Sequence, residues 1–283
     1  MSSTPDIRPD RATDSGVFPH LRGNEPIISV RDLIVSYGDR KILKGTNLDI
    51  FSGETMVILG ASGSGKSTLL RHIEGLAKPT SGSIFIKGVD ICSASRKELM
   101  KIQRVLGVSF QSAAMFNSMT VGDNVALPLR EHTKLAEPTI KLITKMKLQQ
   151  VGLSGVEDLF PNQLSGGMKK RASVARALAM DPEILLFDEP SAGLDPIIAA
   201  GIDDLILLLK RAFKMTIVIV THEMQSAYLI ADRMCMLYQG EILAVGTVDE
   251  IRSHQHPRIR QFVDRVADNF DEGAQSYVTG FDS

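Results

Sequence analysis

The sequence is poor in cysteine, has no excess of either charge and contains no long apolar run. Its two cysteines, Cys92 and Cys235, lack metal-ligand spacing and cannot form a disulfide framework. The 32 basic residues balance 33 acidic ones, which argues against a protein that wraps nucleic acid. No apolar run reaches the roughly 18 residues of a membrane-spanning helix, and residues 1–26 lack the apolar core of a signal peptide. We therefore expect a globular chain in the cytosol.

Apolar patterning begins only after residues 1–26, which are rich in Ser, Asp, Arg and Pro and predict a flexible arm. Short β-like runs follow at 27–30, 33–36, 48–50 and 83–87. Uninterrupted apolar runs occupy 56–59, 184–187 and 217–220. Such runs are typical of strands covered on both faces, so they predict a parallel sheet flanked by helices.

Helix-forming residues predominate between about 112 and 163, which predicts a helical subdomain inserted into a main domain over 27–252. Pro138 suits a first helical turn and Gly152 a helix end. Apolar residues at 115–116 and 125–129 are candidates for a docking surface. A helix after Pro196 is expected to face Leu205, Leu208 and Leu209 inward. The extension over 253–283 is predicted to hold one short helix, around 257–266.

A phosphate-binding motif follows the 56–59 run and precedes a predicted helix over 68–74. The motif G-x-x-x-x-G-K-[ST] is matched by Gly60, Ala61, Ser62, Gly63, Ser64, Gly65, Lys66 and Ser67. Its glycines let backbone N–H groups converge on phosphate oxygens, and the helix N-terminus adds positive charge. We expect Lys66 to reach the β- and γ-phosphates of ATP and Ser67 to bind Mg²⁺, with Thr68 also at the nucleotide.

A second apolar run, 184–187, ends in two acidic residues, Asp188 and Glu189. A buried strand of this kind delivers a carboxylate to the Mg²⁺ beside the phosphate loop, and this is the role predicted for Asp188. Glu189 is then placed to orient a water molecule that attacks the γ-phosphate and to accept its proton.

The segment Leu164-Ser165-Gly166-Gly167-Met168 resembles the signature motif of the ABC ATPase family. Ser165 is a favourable helix N-cap, and Gly166 and Gly167 leave backbone amides open at the helix start. The cations that follow, at 169–171, oppose the helix dipole, which indicates a nearby anion.

The resemblance covers most of 27–248, and its motifs fall in the family's order. Tyr37 matches the aromatic residue that stacks on adenine, although a core tyrosine fits the pattern nearly as well. Gln111 matches the glutamine that contacts Mg²⁺ and water. Asp195 matches the D-loop aspartate, and His222 the switch histidine that acts with Glu189 in catalysis.

Membership of this family implies an α/β fold of the P-loop NTPase class, with a parallel-sheet core, an antiparallel β subdomain and an inserted helical subdomain. It also implies a head-to-tail homodimer in which ATP lies between the phosphate loop of one chain and Ser165 of the other. Integral-membrane permease subunits are the implied partners, with the ATPase bound peripherally at the cytoplasmic face of the inner membrane.

Two features of the sequence indicate a particular subgroup of the ABC ATPase family. Met168 stands where most of the family carries Gln, and the 119–133 segment is similar to ATPases of bacterial systems that move phospholipid between membranes. That subgroup works with a permease, an Mce-type lipid-binding protein and a STAS-domain protein. Three alternatives stay open: a transporter motor for another solute, a soluble ABC ATPase, and a nucleotide-gated scaffold without turnover.

Overall fold

A computed structural model of the protein describes residues 25–266. Nearly all of the arm predicted over 1–26 and the chain beyond residue 266 lie outside this range. Within it, strands and helices form two sheets with helices packed around the larger one. No helix among the described residues is both long enough and apolar enough to span a bilayer.

The smaller sheet is antiparallel. Its strands lie in the order β2-β1-β4-β5: β1 (Ile28–Tyr37), β2 (Arg40–Ile50), β4 (Ser81–Ile86) and β5 (Val89–Asp90). The pattern predicted two runs in place of β1, and that division is wrong. The strand continues through a register shift near Asp32, whose φ of 45° marks a bulge. The bulge breaks the apolar alternation without ending the pairing with β2.

The larger sheet has the order β10-β9-β3-β8-β7-β6. Its strands are β3 (Thr55–Leu59), β6 (Leu106–Ser109), β7 (Ile184–Asp188), β8 (Thr216–Thr221), β9 (Arg233–Tyr238) and β10 (Glu241–Thr247). All pairs are parallel except β9–β10. The three uninterrupted apolar runs are the buried central strands β3, β7 and β8, as predicted. Because these strands are neighbours and parallel, their carboxyl ends meet at one edge.

Helices cover both faces of this sheet and build a separate helical cluster. They are α1 (Lys66–Ile73), α2 (Arg96–Gln103), α3 (Val121–His132), α4 (Glu137–Gln150), α5 (Gly166–Ala177), α6 (Pro196–Phe213), α7 (Met224–Ile230), α8 (Val248–Arg252) and α9 (Pro257–Val263). Successive β3 side chains point to opposite core clusters, Val57 and Leu59 to one and Met56 and Ile58 to the other. The sheet therefore separates two apolar layers.

Helices α3 and α4 lie in the 112–163 segment and pack against α5. Pro138 lies in the first turn of α4, and Gly152 follows its end with a φ of 73°, as expected. The apolar residues predicted as a docking surface are divided: Phe116 is exposed, but Val125 and Leu129 are buried. Docking by the 125–129 stretch is wrong for these two residues, because they form the contact between the helices.

Helix α6 begins after Asp195 and buries Leu205 and Leu209, whereas Leu208 is 55% exposed. The prediction for Leu208 is wrong because neighbouring helical residues point about 100° apart, and the core lies on the side of Leu209. The predicted short helix in the extension is α9, which starts at Pro257 and buries Ile259.

Candidate active site

The phosphate-binding loop connects β3 to α1 by a turn that requires glycine. Gly65 has a φ of 109°, a conformation that other residues rarely adopt. A Cβ atom on Gly60 would lie 2.2 Å from the Leu237 carbonyl oxygen, and one on Gly65 would lie 2.8 Å from Leu43 Cδ2. The loop therefore packs closely against β2 and β9 and leads directly into the start of α1.

Lys66 is the first residue of α1, and its side chain is buried in the loop. Its ammonium donates to the carbonyl oxygens of Gly60 at 2.7 Å and Ala61 at 3.3 Å. It also lies 3.7 Å from Glu189 Oε1. Burial lowers the pKa of Lys66, and the charges of Glu189 and Asp188 oppose that shift. The charges of Lys66, Asp188 and Glu189 therefore influence one another.

Ser67 and Asp188 meet although they are far apart in the sequence. The Ser67 hydroxyl donates to Asp188 Oδ1 at 3.0 Å, because α1 follows β3 and Asp188 ends β7 at the same edge of the sheet. Burial raises the pKa of Asp188, and the charge of Glu189 adds to the increase. A hydroxyl and a carboxylate in contact are oxygen ligands of the kind that Mg²⁺ prefers, so the two residues fit a magnesium ion.

Glu189 is buried and adopts a left-handed conformation, with a φ of 48°. Its Oε2 accepts hydrogen bonds from the Thr221 hydroxyl at 3.1 Å and the His222 amide at 3.3 Å. The His222 ring Nδ1 lies 2.9 Å from the same oxygen. One carboxylate oxygen is thereby held by the end of β8 and the other faces Lys66. The sequence analysis did not predict a site role for Thr221. Its position at the end of a strand, next to His222, was the signal that could have indicated one.

Lys170 and Arg171 form their hydrogen bonds with backbone carbonyl groups. Burial lowers the pKa of Lys170, and the charges of Asp188, Glu189 and Glu223 oppose that shift. The bound anion expected near the 169–171 cations stays a prediction. The Lys170 ammonium donates to the carbonyl oxygens of Gln111 at 2.6 Å and Glu189 at 2.9 Å. Arg171 donates to the carbonyl oxygens of Val151 and Gly201. Gln111 itself lies in an exposed turn after β6, with its backbone held by Lys170.

The signature segment forms a second group of site residues. Ser165 caps α5 by accepting a hydrogen bond from the Met168 amide at 3.2 Å, and Asp195 caps α6 in the same way. A Cβ atom on Gly167 would lie 2.4 Å from Ile198 Cγ2, so glycine lets the two helix starts approach. Within residues 25–266, no hydrogen bond or ion pair joins 165–167 to the phosphate loop.

Tyr37 ends β1 with its side chain 57% exposed. The alternative of a core tyrosine is therefore wrong. An exposed aromatic ring of this size is free to stack on a flat ligand.

A phosphate loop beside paired acidic residues and a histidine, on this sheet order, defines an ATP-binding cassette. The family model described as ABC transporter matches residues 43–192. The chain belongs to this family and is an ABC ATPase of a transporter, which binds nucleotide.

Individual relatives agree with this assignment. A probable ribonucleotide transport ATP-binding protein of Mycobacterium leprae is 45% identical over 83% of this chain and 68% of its own length. The intermembrane phospholipid transport system ATP-binding protein MlaF of Haemophilus influenzae is 41% identical over 90% of this chain and 98% of its own.

Among solved structures, a dimeric ATP-binding cassette in a post-hydrolysis state with ADP and Pi has a TM-score of 0.73 and 33% identity. The likeness covers 78% of this chain and 98% of that one. The predicted α/β cassette, with its parallel core and antiparallel sheet, is therefore confirmed.

Proposed function

We propose that this ATPase is the motor of a transporter that moves phospholipid between the inner and outer membranes. The observation that carries the hydrolytic part is the convergence of Lys66, the Ser67–Asp188 pair and the Glu189–His222 pair at one sheet edge. The cargo is supported by similarity to MlaF over 98% of that protein's length.

Glu189 acts as the general base for the water that attacks the γ-phosphate. Its carboxylate is fixed by Thr221 and His222, so it accepts the proton without first having to reorient. Lys66 binds the β- and γ-phosphates and offsets the charge that develops during transfer. Backbone amides of 60–65, with Ser67 and Thr68, hold the remaining phosphate oxygens.

Ser67 and Asp188 would hold Mg²⁺, and Gln111 would supply a further ligand. When bound, the ion neutralises charge on the β- and γ-phosphates. Burial and the charge of Glu189 raise the pKa of Asp188, whereas the Ser67 hydrogen bond and the charges of Arg71 and Lys66 lower it. Tyr37 stacks on the adenine ring.

Two copies of the chain complete each site head to tail. Ser165, Gly166, Gly167 and Asp195 make no bond to the phosphate loop among the described residues of their own chain, and they present a capped helix start instead. A helix start of this kind favours negative charge, so it suits the triphosphate held by a second copy. ATP then stabilises the closed dimer, and hydrolysis releases it.

The work is delivered through membrane partners at the cytoplasmic face of the inner membrane. A groove of about 210 Å³ lies between the main sheet and the helical cluster, and it is lined in part by Met100, Gln103, Pro128 and His132. We assign it to a helix of the permease. An Mce-type lipid-binding protein and a STAS-domain subunit complete the assembly. The division into a 27–252 ATPase domain with an inserted helical subdomain at about 112–163, and a 253–283 extension, belongs to the same proposal.

Ribonucleotide is the second candidate cargo, because the Mycobacterium leprae relative is named for it. The test is to purify the chain with the permease that accompanies it, reconstitute the complex in vesicles and measure ATP-dependent transfer of labelled phospholipid. Glu189→Gln serves as the inactive control. Ribonucleotide transport without phospholipid transfer would contradict the proposed cargo.

A further inference from the structure

Helix α5 carries one buried cation, Lys170, and one half-buried cation, Arg176, whose hydrogen bonds in the described part of the chain go only to backbone carbonyl groups. Lys170 is 7% exposed, and no carboxylate of residues 25–266 forms an ion pair with it. Arg176 donates to the carbonyl oxygens of Ala113 at 2.9 Å and Ala114 at 2.7 Å. The charges of Asp188, Glu189 and Glu223 act on the Lys170 ammonium, but its direct contacts are with carbonyl groups. Burying an ammonium is costly, so apolar packing alone does not account for Lys170.

Three of the four carbonyl groups that these cations hold belong to residues with strained, left-handed backbone. Glu189 has a φ of 48°, and Ala113 and Ala114 have φ values of 60° and 45°. Conformations of this kind persist only where surrounding contacts hold them. Lys170 supplies such a contact to Glu189 directly, and to the loop of Gln111 two residues before Ala113.

The contacts follow one face of α5. Lys170, Ser173 and Arg176 are three residues apart, and the Ser173 hydroxyl lies 3.3 Å from that of Ser109 in β6. The same helix starts at the signature residues, with Ser165 as its cap. One helix thus connects the signature residues to the 111–114 loop and to the backbone of Glu189.

We propose that Lys170 is a positioning residue, which transmits the position of the signature helix to the backbone of Gln111 and Glu189 in the same chain. The inference rests on the proposed head-to-tail dimer. In that dimer, the start of α5 contacts the nucleotide of one site while Lys170 holds the glutamate of the other. ATP at either site therefore helps to orient Glu189 at its neighbour, and the two sites hydrolyse ATP cooperatively.

The test compares Lys170→Met, which keeps length but removes the donors, with Lys170→Arg, which keeps them. Lys145→Met, on an exposed face of α4, is the matched control. For Lys170→Met we expect kcat to fall about 10- to 100-fold, because small displacements of a catalytic group have costs of that order. The Kd for ATP should stay within about twofold and the Hill coefficient should fall towards one. Lys170→Arg should recover most of kcat, and Lys145→Met should behave as wild type.

Hydrogen–deuterium exchange with ATP and EDTA gives a readout that needs no turnover. Peptides covering 110–115 and 188–191 should exchange faster in Lys170→Met than in wild type, with an unchanged melting temperature. Unchanged exchange in both peptides would overturn the proposal. A fall in ATP binding and melting temperature that Lys170→Arg does not repair would also overturn it, because it would indicate a packing role. Absence of turnover in the wild type would reject the proposed function instead, while the exchange comparison would still decide the role of Lys170.

Discussion

Glu74 is a buried carboxyl group whose titration should be visible in the stability of the fold. It follows α1, is 4% exposed, and its Oε2 atom has no hydrogen-bond partner among the described residues. Burial raises the pKa of Glu74 to about 7, and the charge of Asp188 acts in the same direction. Arg71 opposes the shift. At neutral pH the folded chain therefore keeps a proton on Glu74 in roughly half of the molecules.

The sign of the effect follows from comparing the two states. In the unfolded chain this carboxyl group ionises near 4.5, so between 4.5 and about 7 the folded state binds more protons. The free energy of unfolding must then decrease as pH rises through this interval. At roughly 1.4 kcal/mol for each pH unit, the loss attributable to Glu74 is about 3 kcal/mol. It is absent below 4.5 and complete above 7.

Glu74→Gln keeps the shape of the neutral acid and cannot ionise. Relative to wild type, its free energy of unfolding should rise by about 3 kcal/mol between pH 4.5 and pH 8. Urea unfolding followed by circular dichroism at four pH values measures this difference, with Glu131→Gln, exposed on α3, as the control. Parallel pH profiles for wild type and Glu74→Gln would refute the reasoning.

Three further predictions concern individual side chains. Gly167→Ala should lower the free energy of unfolding by about 1–3 kcal/mol, since its Cβ would lie 2.4 Å from Ile198 Cγ2, and a thermal melt that matches wild type would contradict this. Tyr37→Ala should weaken ATP binding severalfold in a calorimetric titration while Tyr37→Phe does not, and equal losses in both would reject a stacking ring. Cys235 should resist thiol reagents in the folded state, because burial raises its pKa to about 12, and rapid labelling there would show that the core opens.

Local motifs in the sequence were sufficient to predict the central strands and the phosphate loop. A continuous apolar run marks a buried strand, and the spacing of Gly60, Gly65 and Lys66 sets the loop without reference to distant residues. The sheet order could be established only from the fold. The same holds for the contact between Ser67 and Asp188, because these two residues are 121 positions apart in the sequence.

Three features of the structure could not be predicted from the sequence pattern. The hydrogen-bond partners of Lys170 and Arg171 were not predicted, because they are backbone carbonyl groups, which every residue possesses. Leu208 fits a helical period but lies one step from the buried side of α6. The bulge at Asp32 interrupts the apolar alternation of β1, although the strand continues to pair with β2 on both sides of it.

Replacement of Glu189 by Gln tests the central claim most directly, with phosphate release and ATP-dependent self-association measured on the same sample of full-length chain and Mg²⁺. We predict that turnover falls by at least about 100-fold, because the general base is lost, while ATP still binds and the dimer lives longer. Turnover near the wild-type rate, or a chain whose self-association ignores ATP, would contradict it.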